Sequence, residues 1–150
     1  MKIETKYQGT VEVSSEQHLH FPVGLPGFPE EQQYVLLPFL EELPYFILQS
    51  INTAELAFVV VDPYAFFADY EFQLNEASQH ALQIEQPEDV ATFVILTLKE
   101  PFKSSTANLQ GPLVINMKKR MGKQLVLNDA RYKTKHPLFQ LMEEDASCSY

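Results

Sequence analysis

The sequence predicts an all-β fold, a small antiparallel β-barrel or split barrel carrying one or two short helices. Three observations lead there. Short runs of β-branched and aromatic residues recur along the chain, each closed by glycine, proline or Asp-Pro chemistry. Nothing between them is long and apolar enough to serve as a crossover helix, which removes repeated βαβ units and a parallel sheet. The 150 residues, 45% hydrophobic and 21% charged, have the size and make-up of one folded unit, able to bury roughly 68–70% of the surface exposed by the unfolded chain. A single domain is expected over residues 1–139, followed by an acidic tail over 140–150, Glu143-Glu144-Asp145 among it, that is too polar to fold.

Strands are expected near 2–7, 9–14, 17–22, 33–38, 45–50, 56–61, 90–98, 112–118 and 123–128. The first two flank Gln8-Gly9, where glycine can take a positive φ, so they read as a hairpin. The third leads into Gly24-Leu25-Pro26-Gly27-Phe28-Pro29, a turn-bearing loop. Pro38, Pro44 and Asp62-Pro63 punctuate the next three. In 56–61 and again in 93–96 both alternation faces are apolar, so these strands are expected at the centre of the core and covered on both sides. Asp62 followed by Pro63 has the form of an N-cap with proline in the first turn, starting a short helical turn through Tyr64-Ala65-Phe66-Phe67. A second helix is expected over 75–83, capped by Asn75 and ended before Pro87. The last two strands flank Lys118-Lys119-Arg120-Met121-Gly122-Lys123, a hairpin whose cationic tip would protect a sheet edge.

The net charge of −9 is unevenly placed. No Lys or Arg lies between Lys6 and Lys99, an interval holding 14 acidic residues, whereas 99–150 holds nine basic and five acidic ones. Such a field draws cationic partners and repels nucleic acid phosphate, although solubility alone would also account for it. The amino terminus alternates charge with β-formers and has no apolar h-region, and no run approaches the ~20 apolar residues of a membrane helix, so a cytoplasmic protein with no membrane partner is expected. Cys148 is the lone cysteine and can close no internal disulfide.

Catalytic patterns are sparse. Gly24 and Gly27 sit between prolines and open no helix, so they form no phosphate cradle. His18-x-His20 puts two imidazoles on one strand face, but no third and fourth metal ligand accompany them, and His80 and His136 are isolated. Adjacent carboxylates such as Glu30-Glu31, Glu41-Glu42 and Glu88-Asp89 read as solvated loop charge rather than an acid–base pair. Ser104-Ser105-Thr106 reads as a polar turn, and Cys148 on a tail cannot be held against a base. No enzyme, metal or cofactor is expected.

Several long strings then agree at once with one family. Gly24-Leu25-Pro26-Gly27-Phe28-Pro29-Glu30, Tyr45-Phe46-Ile47-Leu48-Gln49-Ser50, Ala57-Phe58-Val59-Val60-Val61-Asp62-Pro63-Tyr64, Asp69-Tyr70-Glu71-Phe72, Ser105-Thr106-Ala107-Asn108-Leu109-Gln110-Gly111-Pro112-Leu113-Val114-Ile115-Asn116 and His136-Pro137-Leu138-Phe139 resemble the bacterial flagellar assembly factor FliW family, in order, over residues 1–139. The resemblance implies a β-barrel-like cytosolic protein without enzymatic activity or cofactor. It implies two protein partners: flagellin, and, once flagellin has been exported, the RNA-binding translational repressor CsrA, which it antagonises. An acidic antagonist suits a protein that presents cations to phosphate. Two rivals stay open: a small-ligand carrier with an aromatic-lined barrel cavity, and an RNA-binding module using Lys118, Lys119, Arg120, Lys123, Arg131, Lys133 and Lys135.

For the partner surface, strand interiors such as Phe58, Val60, Phe93 and Ile95 are expected in the core. The acidic-aromatic segment Asp62, Tyr64, Phe67, Asp69, Tyr70 and Glu71 offers aromatic anchors ringed by polar groups, and Glu41 and Glu42 add charge. Phe66 and Phe67 could instead plug an end of the barrel.

Overall fold

The structure, a computed structural model, describes residues 1–39 and 45–139. The described residues form strands β1 (Lys2–Glu4), β2 (Thr10–Glu12), β3 (His18–His20), β4 (Gln33–Pro38), β5 (Tyr45–Ser50), β6 (Ala57–Val61), β7 (Val90–Thr97), β8 (Thr106–Ala107), β9 (Leu113–Asn116), β10 (Met121–Gln124) and β11 (His136–Pro137), and one α-helix, α1 (Glu76–Ala81). Seven strands close into a barrel in the order β3-β4-β5-β6-β7-β9-β10 and back to β3. All neighbours in this ring are antiparallel except β10 and β3, joined in parallel where Met121 faces His20. Strand β7 pairs with β9 through Val90–Phe93 and with β8 through Leu96 and Thr97, so β8 and β11 form a flap hung on the ring.

Alternation along the strands sorts two layers of core. One set comes from six ring strands and fills the interior: Leu19, Phe21, Tyr34, Leu48, Val60, Phe93, Leu113 and Ile115, with Phe46, Phe58 and Ile95 packed against them. The intervening residues Ile47, Val59, Val61, Val94 and Leu96 point outward, where Tyr70, Leu109, Tyr132 and Leu138 cover them. Elsewhere on the outer surface, Ile3 and Val13 from the β1–β2 region cover Val35 and Leu37, and Leu82 behind α1 covers Val114 and Leu125. This explains why 56–61 and 93–96 are apolar on both faces.

Local chemistry places the short elements. Gly9 takes φ +68° in the β1–β2 connection, as its sequence position predicts. Asn75 Oδ1 accepts from Ser78 N at 2.7 Å and starts α1. Asp62 accepts from Tyr64 N at 2.9 Å and starts a 3₁₀ turn over Pro63–Ala65.

Three expectations are corrected. The last barrel strand runs over Met121–Gln124 rather than 123–128, so it takes in Met121 and Gly122 and the cationic tip is residues 117–120. Gly122 belongs to the strand because the Phe21 ring lies on it: an added Cβ would meet Phe21 Cζ at 2.5 Å. The segment read as a polar turn after Pro101 ends at Ser104, and Thr106–Ala107 then becomes β8. The opening strands are also shorter, because β1, β2 and β3 have three residues each. Glu41, Glu42 and the expected tail over 140–150 lie outside the described residues.

Gln49 is fully buried at the β5–β6 connection. Its two N–H groups are shared among the carbonyls of Ser50, Ala54, Leu56 and Thr53 at 3.0–3.4 Å, and its Oε1 accepts from Lys6 N at 3.0 Å. One side chain thus satisfies the turn and ties the first hairpin to the barrel. Gln49→Leu keeps the volume and removes these bonds, so it is expected to cost about 2–3 kcal/mol. A lowered urea midpoint at unchanged m-value is the expected reading; a midpoint equal to the parent's would mean the turn holds itself.

Candidate partner-binding surface

Strand β6 carries the chain to one end of the barrel, and the Asp62 cap with Pro63 turns it sharply there. Extending the β6–β7 register, in which Val61 faces Val94, brings Asp62 to the level of Phe93. Asp62, Tyr64, Phe46, Pro87, Val90, Ala91, Thr92 and Phe93 line a groove of about 510 Å³ at this mouth. Phe46 and Phe93 make its aromatic floor, edge to face at 5.4 Å. Tyr64 is 45% exposed, and its phenol is held above its ordinary pKa by partial burial and by the Asp62 carboxylate.

The acidic-aromatic segment does not act as one surface. Asp62 and Tyr64 belong to the groove, and Asp69 is exposed. Tyr70, 4% exposed, is corrected from contact residue to core. Its hydroxyl donates to Leu109 O at 2.7 Å, its ring meets Tyr132 at 4.8 Å, and burial drives its pKa up. Phe67 is half-buried against the outer core layer and meets the His136 ring edge-on at 5.2 Å. Phe66 continues this outer layer through Tyr45 at 6.0 Å and Phe139 at 5.9 Å. Neither Phe66 nor Phe67 plugs the barrel end, because both face the outside of the sheet. Glu71 is exposed but accepts from Arg131 Nη1 at 3.4 Å.

The two rival readings meet specific obstacles. The barrel interior is filled by side chains of the described residues, and the groove lies at the mouth. Among the proposed RNA-binding cations, Arg131 forms a close pair with Asp129 at 2.7 Å, whose hydrogen bonds lower the Asp129 pKa, and it lies over the Tyr132 ring at 5.0 Å. Arg120 donates to Gln17 O at 2.8 Å, Lys118 is 3.7 Å from Glu85, and Lys123 reaches Ser78 Oγ at 3.4 Å. Lys119, Lys133 and Lys135 are exposed. His18 is half-buried and His20 exposed, and no group of three or more His, Cys, Asp or Glu suited to a metal occurs among the described residues. No helix among them is long and apolar enough to cross a membrane.

Sequence reasoning placed Phe93 in the core, where it lies, but missed that Phe46, Ala91 and Thr92 open onto the mouth beside Asp62. The pairing of β6 with β7 across the 28 positions between them makes that neighbourhood, and no local pattern announces it.

Comparisons with known proteins agree with one another. A family model described as FliW protein matches residues 2–138. The chain is 51% identical over 139 residues to the flagellar assembly factor FliW of Geobacillus sp. (strain WCH70), covering 93% of this chain and 96% of the relative. It is 48% identical over 138 residues to the protein of that name from Bacillus subtilis (strain 168), covering 92% and 96%. Its fold matches a solved structure titled "Crystal structure of the flagellar assembly factor FliW" with a TM-score of 0.87 at 49% identity, covering 93% of this chain and 97% of the other.

Proposed function

Because this chain belongs to the FliW family, we propose that it is a flagellar assembly factor that works in the cytoplasm by protein contact, without catalysis, binding flagellin and, when flagellin is scarce, binding and antagonising CsrA. The observation that carries the reading is the charge around the barrel. Strands β3 to β7 are themselves uncharged, and the stretch between Lys6 and Lys99 that contains them carries 14 Asp and Glu outside those strands and no Lys or Arg. A partner that must present cations to RNA is attracted to such an acidic surround, and RNA is repelled from it. The groove at the mouth adds the apolar component that a specific interface needs.

A sensor of flagellin depletion must couple its two partners negatively, and that coupling is reciprocal. In a calorimetric titration, saturating flagellin is expected to reduce the affinity for CsrA by about 5- to 150-fold, the usual span of coupling energies. Affinity for CsrA that does not change with flagellin would refute the exchange. Failure of both proteins to co-purify with the chain would refute the partner assignment itself.

A further inference from the structure

We propose that the groove at the barrel mouth is a binding slot for an arginine side chain presented by a partner protein. The proposal deepens the reading above, on which it rests only in taking a protein as the source of the arginine. The slot combines two chemistries that a guanidinium on an apolar stem satisfies together. Its floor is the Phe46–Phe93 pair, and Pro87 and Ala91 supply further apolar wall. At its lip stands Asp62, whose Oδ1 is already oriented by the Tyr64 N–H at 2.9 Å, so the carboxylate is held in place before any ligand arrives. No Lys or Arg lines the slot to neutralise it, and the Pro87–Asp89 turn beside it brings two more carboxylates, Glu88 and Asp89.

The features favour arginine over other ligands for separate reasons. A neutral apolar ligand would leave Asp62 without a counter-charge in a partly dehydrated place. A lysine ammonium is a strongly hydrated point charge, whereas a guanidinium is planar, more weakly hydrated and able to stack on aromatic faces while donating sideways to a carboxylate. The volume of about 510 Å³ falls within the range of small-ligand sites, leaving room for the arginine stem and its flanking backbone.

The test titrates the full chain with N-acetyl-arginine amide and follows backbone amide signals by two-dimensional NMR. The lysine and citrulline analogues serve as controls, since citrulline keeps the shape and removes the charge. Saturable shifts at Tyr64 and Ala91–Phe93 are expected with arginine, weaker ones with lysine, and none at the same concentration with citrulline. Asp62→Asn keeps a good N-cap and hence the turn, and it is expected to weaken arginine binding about tenfold, the loss of one charge-assisted contact. Tyr64→Leu, which removes the exposed aromatic wall, is expected to weaken it as well. Equal binding of citrulline would overturn the proposal by showing that the slot reads only shape. Shifts spread over remote carboxylates such as Glu12 and Glu16, or no shift at all, would overturn it too. The probe contains neither flagellin nor CsrA, so its failure leaves the partner exchange standing and the converse holds equally.

Discussion

Asn116→Ala is expected to destabilise the fold by about 3 kcal/mol, lowering the melting temperature by roughly 6–12 °C in a chain of this size. The side chain is 1% exposed and all its hydrogen-bonding capacity is used. Nδ2 donates to Leu82 O at 2.8 Å and Gln83 O at 3.1 Å, and Oδ1 accepts from Lys118 N and Lys119 N, both at 3.0 Å. It therefore joins the end of α1 to the barrel and shapes the turn between β9 and β10 at once. The two elements it joins contain left-handed backbone at non-glycine residues, Gln83 with φ +55° and Arg120 with φ +59°. Such conformations persist only where surrounding bonds enforce them. Alanine removes every one of those bonds and leaves buried carbonyls without partners. Scanning calorimetry measures the loss, and substitution of the exposed Lys119 serves as a control that should stay within about 0.5 kcal/mol of the parent. A melting temperature within 2 °C or so of the parent's would show that packing of Leu82 alone holds α1 in place.

Neutralising acidic residues of the Lys6–Lys99 interval is expected to lower antagonism beyond any loss of binding. If the chain silences CsrA partly by bringing a negative field beside its RNA surface, those variants with Asp62→Asn, Asp69→Asn, Glu41→Gln and Glu42→Gln that still bind CsrA should, at equal occupancy, displace RNA about tenfold less effectively or worse. The unmodified protein should lose potency as salt shortens the Debye length below its ~8 Å at physiological ionic strength. Glu71→Gln should do less than Asp69→Asn, because Arg131 already sits 3.4 Å from the Glu71 carboxylate. Measuring CsrA affinity and RNA displacement across a salt series checks each point. Neutral variants that displace RNA as well as the parent would replace electrostatic exclusion with steric or conformational antagonism.

How far the sequence could be read depended on whether the cause was local. The Asn75 cap, the Asp62-Pro63 turn and the Gly9 connection were legible because each depends on its own residue and close neighbours. The central strands were legible because burial on both faces leaves an unbroken apolar run. Strands β8 and β11 were not, because two residues carry no periodicity and their pairing is made by β7 and by one another. The β10 register was missed because Gly122 reads as a turn residue, and only the Phe21 ring pressed against it explains its place in a strand. Asp62 and Tyr64, singled out from the sequence, both line the groove. Tyr70 was misplaced because an amphipathic phenol fits a surface or a core equally well until a partner such as Leu109 O decides. The Glu71–Arg131 pair spans 60 positions and leaves no trace in either segment.

The parallel seam between β3 and β10 sets a timetable for the newborn chain. Arg120 Nε reaches His18 O across 102 positions, and the Met121–His20 pairing beside it closes the ring. Until residue 121 has left the ribosome, β3 is an unclosed edge able to pair with another chain. At about 5–20 residues per second, that interval lasts on the order of five to twenty seconds after β3 is made. The β1–β2 hairpin, which packs on Val35 and Leu37, is complete long before then and can cover part of the nascent sheet. A protein proposed to report on the supply of another newly made protein thus becomes a closed barrel only after residue 121 of its own chain has been made.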